Sequence, residues 1–275
     1  MRPFERRSRR RGGWGTRSAF GKQTTLTAHL EGPPAPVSID LSESLQTYWF
    51  DRVRQHTDDS YAGIRMSKFP EDLRVYEHLL WTSRADVVIE IGAQFGGSAL
   101  WFRDRLRAMS TYGRIDRLLV VSIDIDIEPA RAAIADADPA YAQTITLISA
   151  DVCDPDLPAK VAGLIPAGSR CLVVEDAAHV YETTMAALRG FAQFVPPDGF
   201  FVVEDGCVDI EAMRLKRDWP RGVLPALTEW LETPAGAQFK ARPDLEIYGL
   251  SCHPHGFLQR VATPTGPQGS GEQSR

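Results

Sequence analysis

The sequence predicts an α/β fold: a mostly parallel sheet with helices on both faces. Three observations carry that expectation. Short apolar runs alternate with segments of helical spacing from residue 69 to residue 205, the pattern of repeated strand–helix–strand units. Most of the runs stop at a glycine or an acid, as buried strands do where they reach a sheet edge. Two runs end alike, CLVVED at 171–176 and FFVVED at 200–205, with one helical segment between them. Right-handed crossovers bring the C-terminal ends of such strands to one edge, where these folds bind ligands.

Taken in order, SESLQTYWFDRVRQH (42–56) predicts a helix with a serine cap. FPEDLRVYEHLLWTS (69–83) predicts a second, with proline and acids in its first turn. DVVIEIG (86–92) is a strand stopped by glycine, and GSALWFRDRLRAMS (97–110) a helix. RLLVVSIDID (117–126) and TITLISAD (144–151) are strands flanking the helix EPARAAIADA (128–137). RCLVVED (170–176) and FFVVED (200–205) are strands joined by the helix HVYETTMAALRGFAQFV (179–195). EIYGLSCHPHGFLQRVA (246–262) reads as a closing hairpin.

The 275 residues suffice for one large domain with extensions, here 37–263. Residues 1–36 are arginine-dense at their start and rich in Gly and Pro, and 264–275 are polar; both read as disordered tails. No apolar segment follows the arginines, so no export signal is expected in them. A net charge of −5 argues against a nucleic-acid coat. No run of about 18 apolar residues exists, so no membrane helix is expected. The four scattered cysteines, Cys153, Cys171, Cys207 and Cys252, fit reduced thiols and a cytoplasmic protein.

The first predicted strand ends EIGAQFGGS (90–98). Gly92, Gly96 and Gly97 surround its turn into a helix, where glycine lets backbone approach a ligand and the helix offers free N–H groups. The spacing is neither the dinucleotide fingerprint nor a P-loop. Asp124 ends the next strand, placed for a ribose diol, and Asp151 the one after, within reach of an adenine amino group. Each aspartate alone is more commonly a cap or turn residue. Together they describe a nucleoside-shaped slot without a phosphate grip, which favours S-adenosylmethionine over NAD.

Asp176, Glu204 and Asp205 offer three carboxylates at two strand ends. Hard cations such as Mg²⁺ or Mn²⁺ prefer such oxygen ligands, and mutual repulsion favours a cation between them. Glu175 is an equally available carboxylate. His179 follows Asp176 by three positions; in a helix it would share that face and could take a proton from a hydroxyl. Asp176 as an N-cap and Asp205-Gly206 as a plain turn are the structural alternatives.

These residues resemble the cephalosporin hydroxylase family, which is grouped with Mg²⁺-dependent class I O-methyltransferases and is similar to macrolide sugar O-methyltransferases. The resemblance runs from KFPEDLRVYEHLL (68–80) through IEIGAQFGGSAL, VVSIDIDI and VVEDAAHVYETT to FFVVEDG, and fades near GFLQRV. Its specific part is the D-x-x-H and E-D-G combination. It implies a seven-stranded Rossmann-like methyltransferase sheet, S-adenosylmethionine as cofactor, and a small-molecule hydroxyl acceptor. It implies metal ligands at Asp176, Glu204 and Asp205 and a general base at His179. The cofactor loop falls on Glu90, Gly92, Gly96 and Ser98, with ribose at Asp124 and adenine near Asp151. Homo-oligomers are typical. Relatives often carry serine between the Asp and the His, where this chain has Ala177-Ala178.

Three other readings compete. A hydroxylase would need an iron site with two histidines and a carboxylate, and no such pattern is visible. A non-catalytic binder would not need Asp176, His179, Glu204 and Asp205 all intact. His253-Pro-His255 suggests zinc but lacks a partner at ligand spacing, and hairpin histidines are usually exposed. The 207–245 stretch, with Arg214, Trp219 and Trp230, suits an acceptor pocket or an oligomer contact.

Overall fold

The computed structural model describes residues 27–30, 32–37 and 40–261. Most of the two expected tails therefore lies outside the described residues. Helix α1 (Leu45–His56) begins at Ser44, whose side chain accepts from Thr47 N–H. A small antiparallel pair follows, β1 (Ser60–Tyr61) and β2 (Ile64–Arg65). Helix α2 (Pro70–Ser83) starts with proline, carries Glu71 and Asp72 in its first turn, and stops where Arg84 turns left-handed. The proline and the acids are the entry features the sequence predicts.

The core alternates strand and helix: β3 (Val87–Ile91), α3 (Gly97–Thr111), β4 (Leu119–Asp124), α4 (Glu128–Ala137), β5 (Ile145–Ser149), α5 (Leu157–Ala162), β6 (Cys171–Glu175), α6 (Tyr181–Phe191) and β7 (Phe200–Val203). Then come α7 (Val223–Leu231), β8 (Phe239–Ala241) and β9 (Phe257–Arg260). Seven strands form one sheet in the order β5-β4-β3-β6-β7-β9-β8. The first five are parallel, and β9 runs antiparallel to both β7 and β8.

Successive strand residues face opposite sides of a sheet. Val88, Val120, Leu172, Val174 and Val202 pack with Leu79, Phe102, Leu106 and Ile134 of α2, α3 and α4. Val87, Ile89, Val121, Val173, Phe201 and Val203 pack with Leu157, Leu188, Phe191, Leu227 and Trp230 of α5, α6 and α7. Each large side chain so buried contributes about 1.5–3 kcal/mol.

The structure corrects four expectations. The closing segment is not a hairpin: only Phe257–Arg260 is a strand, and its partners are β7 and β8. Residues 246–256 instead form a loop with one short 3₁₀ turn at its edge. Helix α6 begins at Tyr181 rather than 179. The tail boundary at 36 is too late, because Ala28 and Leu30 exchange backbone hydrogen bonds with Arg65 and Gly63. Trp230 is a core residue, 1% exposed, and so lines no surface pocket.

Candidate functional site

Strand register and side alternation decide which carboxylates meet. The two VVED segments suggest that Glu175 matches Glu204. In the sheet, Val173 pairs with Phe201 and Glu175 with Val203. The echo is offset by one residue, so Asp176 stands beside Glu204. Glu175 lies on the α6 face, fully buried, accepting from Thr184 Oγ1 at 3.2 Å and Ala177 N–H at 3.3 Å. Burial pushes its carboxyl up to about 7. Glu175 is thereby removed from the site, a choice the spacing left open.

Asp176 and Glu204 lie on the opposite face, toward α2. Between them sits Lys68, 3% exposed. Its Nζ donates to Asp176 Oδ2 at 2.9 Å and to Glu204 Oε1 and Oε2 at 2.6 and 2.8 Å. Tyr76 of α2 also donates to Glu204 Oε1. Burial disfavours both an ammonium and a carboxylate here. For Lys68 the Asp176 and Glu204 charges outweigh burial and hold the ammonium well up. For Glu204 the Lys68 charge outweighs burial and holds the carboxyl down to about 2. Asp176 moves the other way: burial, then the Glu204 charge, pushes it well above the usual carboxylate range. The set therefore divides. Glu204 takes the larger share of the Lys68 charge, and Asp176 shares that one ammonium with it.

The other oxygen of Asp176 faces His179 and Asp205. His179 Nε2 lies 3.2 Å from Asp205 Oδ2 and 3.9 Å from Asp176 Oδ1. These three side chains are 22–26% exposed, the accessible part of the cluster. Donor atoms of Asp176, His179 and Asp205 all lie within 4.8 Å of one another. His179 reaches this place from a loop, not from a helix. Both His179 (φ 54) and Asp205 (φ 56) are left-handed, a conformation that non-glycine residues hold mainly where the surroundings enforce it. Trp219 Nε1 donates to His179 carbonyl at 3.3 Å, and Gly222 packs so closely that a Cβ would stand 2.1 Å from Tyr181 N. The 207–222 segment thus clamps the histidine loop. Arg214 builds that segment, donating to the carbonyls of Val208, Arg217 and Trp219.

The glycine loop lies at the same sheet edge. Gly92 (φ 108) and Gly96 (φ 84) use conformations open to glycine. Their missing side chains make room for protein: a Cβ on Gly92 would stand 1.9 Å from the Asp176 carbonyl oxygen, and one on Gly96 2.5 Å from Ile134 Cδ1. The loop is therefore built against the carboxylate site. Asp124 Oδ2 accepts from the N–H groups of Ala93 and Gln94 at 3.0 and 2.9 Å, so it shapes the loop. Glu90 is buried, accepts from Ser122 Oγ, and leaves Oε1 without a partner. Ser98 is 8% exposed and adjoins Glu90, whose carboxyl burial pushes up. Asp151 is exposed past the end of β5, accepting from Cys153 N–H at 2.9 Å. All six expected cofactor residues share one sheet edge.

Four site residues escape sequence reasoning: Lys68, Asp72, Tyr76 and His253. Asp72 and Tyr76 stand four apart on one face of α2, a spacing that could have flagged them. His253 corrects an expectation. It is 2% exposed, not a surface histidine, and its Nδ1 accepts from Asp205 N–H at 3.1 Å. His255 is exposed, as expected. Cys171, Cys207 and Cys252 are buried free thiols.

Among curated proteins, none matches the chain. Solved structures share its fold. CmcI with magnesium and S-adenosylmethionine has TM-score 0.56 at 21% identity, covering 86% of this chain and 92% of that one. The CmcI apo structure has TM-score 0.56 at 22% identity, with 86% and 92% covered. CmcI with S-adenosylhomocysteine has TM-score 0.52 at 21% identity, with 84% and 99% covered. The family pattern that matches, over residues 53–261, runs from the last turn of α1 to β9 and includes every site residue described above. The chain belongs to the rhamnosyl O-methyltransferase/CmcI family.

Proposed function

We propose that the protein is a metal-dependent S-adenosylmethionine O-methyltransferase acting on a small-molecule hydroxyl, one of two neighbouring oxygens on a sugar or similar metabolite. One observation carries this reading: a partly exposed imidazole standing between two carboxylates, beside a glycine loop built onto one of them. The family description, a rhamnosyl O-methyltransferase, supports a sugar hydroxyl. The CmcI structures described with magnesium, S-adenosylmethionine and S-adenosylhomocysteine support both cofactors.

The residues fit a hard divalent cation. Asp176 and Asp205 present oxygen donors close together, and Asp176 has no balancing charge beyond the one Lys68 shares with Glu204. Asp176, Glu204 and Asp205 are the carboxylates that would hold Mg²⁺ or Mn²⁺. The orphaned Oε1 of Glu90 and the carboxylates of Asp124 and Asp151 fit a ligand with an ammonium, a ribose and an adenine. When bound, S-adenosylmethionine supplies an electrophilic methyl group and the metal a more acidic hydroxyl.

This chain's own residues do the rest. His179 Nε2 takes the proton of the acceptor hydroxyl. Asp205 Oδ2, 3.2 Å away, stabilises the imidazolium that results. Trp219 and the left-handed backbone hold the ring in place. Alignment of this kind is worth up to about 7–11 kcal/mol of barrier. A hydroxylase reading finds less support: His253, the buried histidine beside the cluster, has its Nδ1 taken by Asp205 N–H. The reading includes a cytoplasmic homo-oligomer; among the described residues, no helix is long and apolar enough to cross a membrane.

Calorimetric titration of S-adenosylhomocysteine, with and without Mg²⁺ and with NADH as control, tests it. Micromolar binding of S-adenosylhomocysteine and none of NADH is the expected result. Absence of binding under both conditions overturns the cofactor assignment.

A further inference from the structure

The E-D-G turn after β7 is stitched to the loop before β9, residue against residue. Asp205 N–H donates to His253 Nδ1 at 3.1 Å. A Cβ on Gly206 would stand 2.8 Å from the Pro254 carbonyl oxygen. Cys207 N–H donates to the Cys252 carbonyl at 3.1 Å. The loop is itself fixed to α2, because Cys252 N–H donates to Asp72 Oδ2 at 2.9 Å. His253 N–H donates to Ser251 Oγ, also at 2.9 Å.

The imidazole has one arrangement open to it. A ring nitrogen that accepts a hydrogen bond carries no proton, so the proton of neutral His253 sits on Nε2. That nitrogen faces two carboxylates, Asp72 Oδ2 at 3.6 Å and Glu204 Oε2 at 3.7 Å. Tyr76 and Phe257 hold the ring edge-on, with centroids at 6.2 and 5.9 Å. His253 thus touches the backbone of Asp205 on one side and faces the side chain of Glu204 on the other. Asp205 sits at φ 56, a left-handed conformation that aspartate tolerates better than most residues but that is less favourable than right-handed backbone, so a hydrogen bond to its N–H helps to hold it.

We infer that His253 is a positioning residue for the carboxylate site: its unprotonated Nδ1 fixes Asp205 in the left-handed turn that aims the carboxylate at His179 and Asp176. The inference rests on the metal-dependent methyltransferase reading. Partners that orient metal ligands are typically worth 10–100-fold in metal affinity.

The test is Mn²⁺ titration followed by electron paramagnetic resonance, on the full chain without cofactor. Three variants separate packing from hydrogen bonding. H253N places an amide oxygen at the branch position of Nδ1 and keeps the acceptor. H253Q moves its amide one bond further and loses it. H253F keeps a ring between Tyr76 and Phe257 but no nitrogen. H253N is expected within about threefold of the wild type, with H253Q and H253F weaker by about 10–100-fold. Equal Mn²⁺ affinity of H253N and H253Q overturns the inference, since both lose the same ring packing. A wild type that binds no Mn²⁺ sinks the metal reading instead. In that case, long-range ¹H–¹⁵N correlation spectra of His253 decide the positioning role. A bare Nδ1 supports it, and a protonated Nδ1 overturns it.

Discussion

Lys68→Met removes the one ammonium buried between Asp176 and Glu204. In the wild type, Nζ lies 2.6 and 2.8 Å from the Glu204 oxygens and 2.9 Å from Asp176, with Lys68 and Glu204 side chains each 2% exposed. Removing one partner of such a buried pair costs about 3–5 kcal/mol, because the remaining charge is left uncompensated. For a domain of this size, that lowers the melting temperature by about 6–20 °C. The pH dependence carries more information. Glu204 is held down to about 2 from its ordinary 4.5. Its contribution is therefore fully present above pH 4.5 and lost as pH falls through 2. Without Lys68, burial, the largest influence on this carboxyl, is opposed only by Tyr76 and His253, and the folded carboxyl rises above its unfolded value. The contribution then reverses, being present at acid pH and lost as pH rises. Urea denaturation in EDTA at several pH values from 4 to 8 reads both. The gap between wild type and variant should widen toward neutral pH, and Mg²⁺ should narrow it by supplying positive charge to Asp176. Equal stability at neutral pH in EDTA, or a gap that narrows with rising pH, refutes the role given to Lys68.

Further outcomes follow from single groups. His179→Ala should abolish methyl transfer while S-adenosylhomocysteine affinity, by calorimetry, stays within a few-fold; joint loss would mean the histidine holds the cofactor site together. Glu175 is raised from 4.5 to about 7, so it stabilises fully below pH 4.5 and loses about 3 kcal/mol as pH rises through 7. Glu175→Gln should flatten that slope in denaturant titrations at pH 5 and 8; an unchanged slope would place the titration elsewhere. Gly92→Ala drives a Cβ into the Asp176 carbonyl from 1.9 Å, adding a left-handed alanine to an overpacked contact. It should destabilise by about 1–3 kcal/mol and weaken Mn²⁺ binding as Asp176 shifts. Normal Mn²⁺ affinity in that variant would show that the loop and the carboxylates are independent.

The five parallel strands were legible because each is a short apolar run closed by a glycine or acid, and each was found within a few residues of its structural bounds. Helices α2, α3 and α4 were legible from spacing, α2 and α4 also from the proline and acids at their starts. What failed was tertiary in origin. Helices α5 and α7 are short, and β8 has three residues and gains its place only by pairing with β9. The VVED echo correctly placed the carboxylates at one edge. It could not show the one-residue offset, which depends on register between strands. Glu175 was therefore indistinguishable from Asp176 until the sheet assigned them opposite faces. Lys68 carried no signal, since a lone lysine is ordinarily solvated. His253 was read as exposed because a hairpin was expected; the loop that replaces the hairpin carries it under Asp205. The left-handed backbone at His179 and Asp205 lies outside any periodicity rule.

The central claim is that Asp176 joins cofactor loop, metal and base in one methyl-transferring site. Its most direct test is methyl transfer from isotope-labelled S-adenosylmethionine to a panel of deoxysugar and vicinal-diol glycosides. Wild type and Asp176→Asn should be compared with Mg²⁺ and with EDTA. Labelled product from the wild type with Mg²⁺, lost in EDTA and in Asp176→Asn, is the predicted result. Transfer that persists in EDTA, or in Asp176→Asn at the wild-type rate, would contradict it.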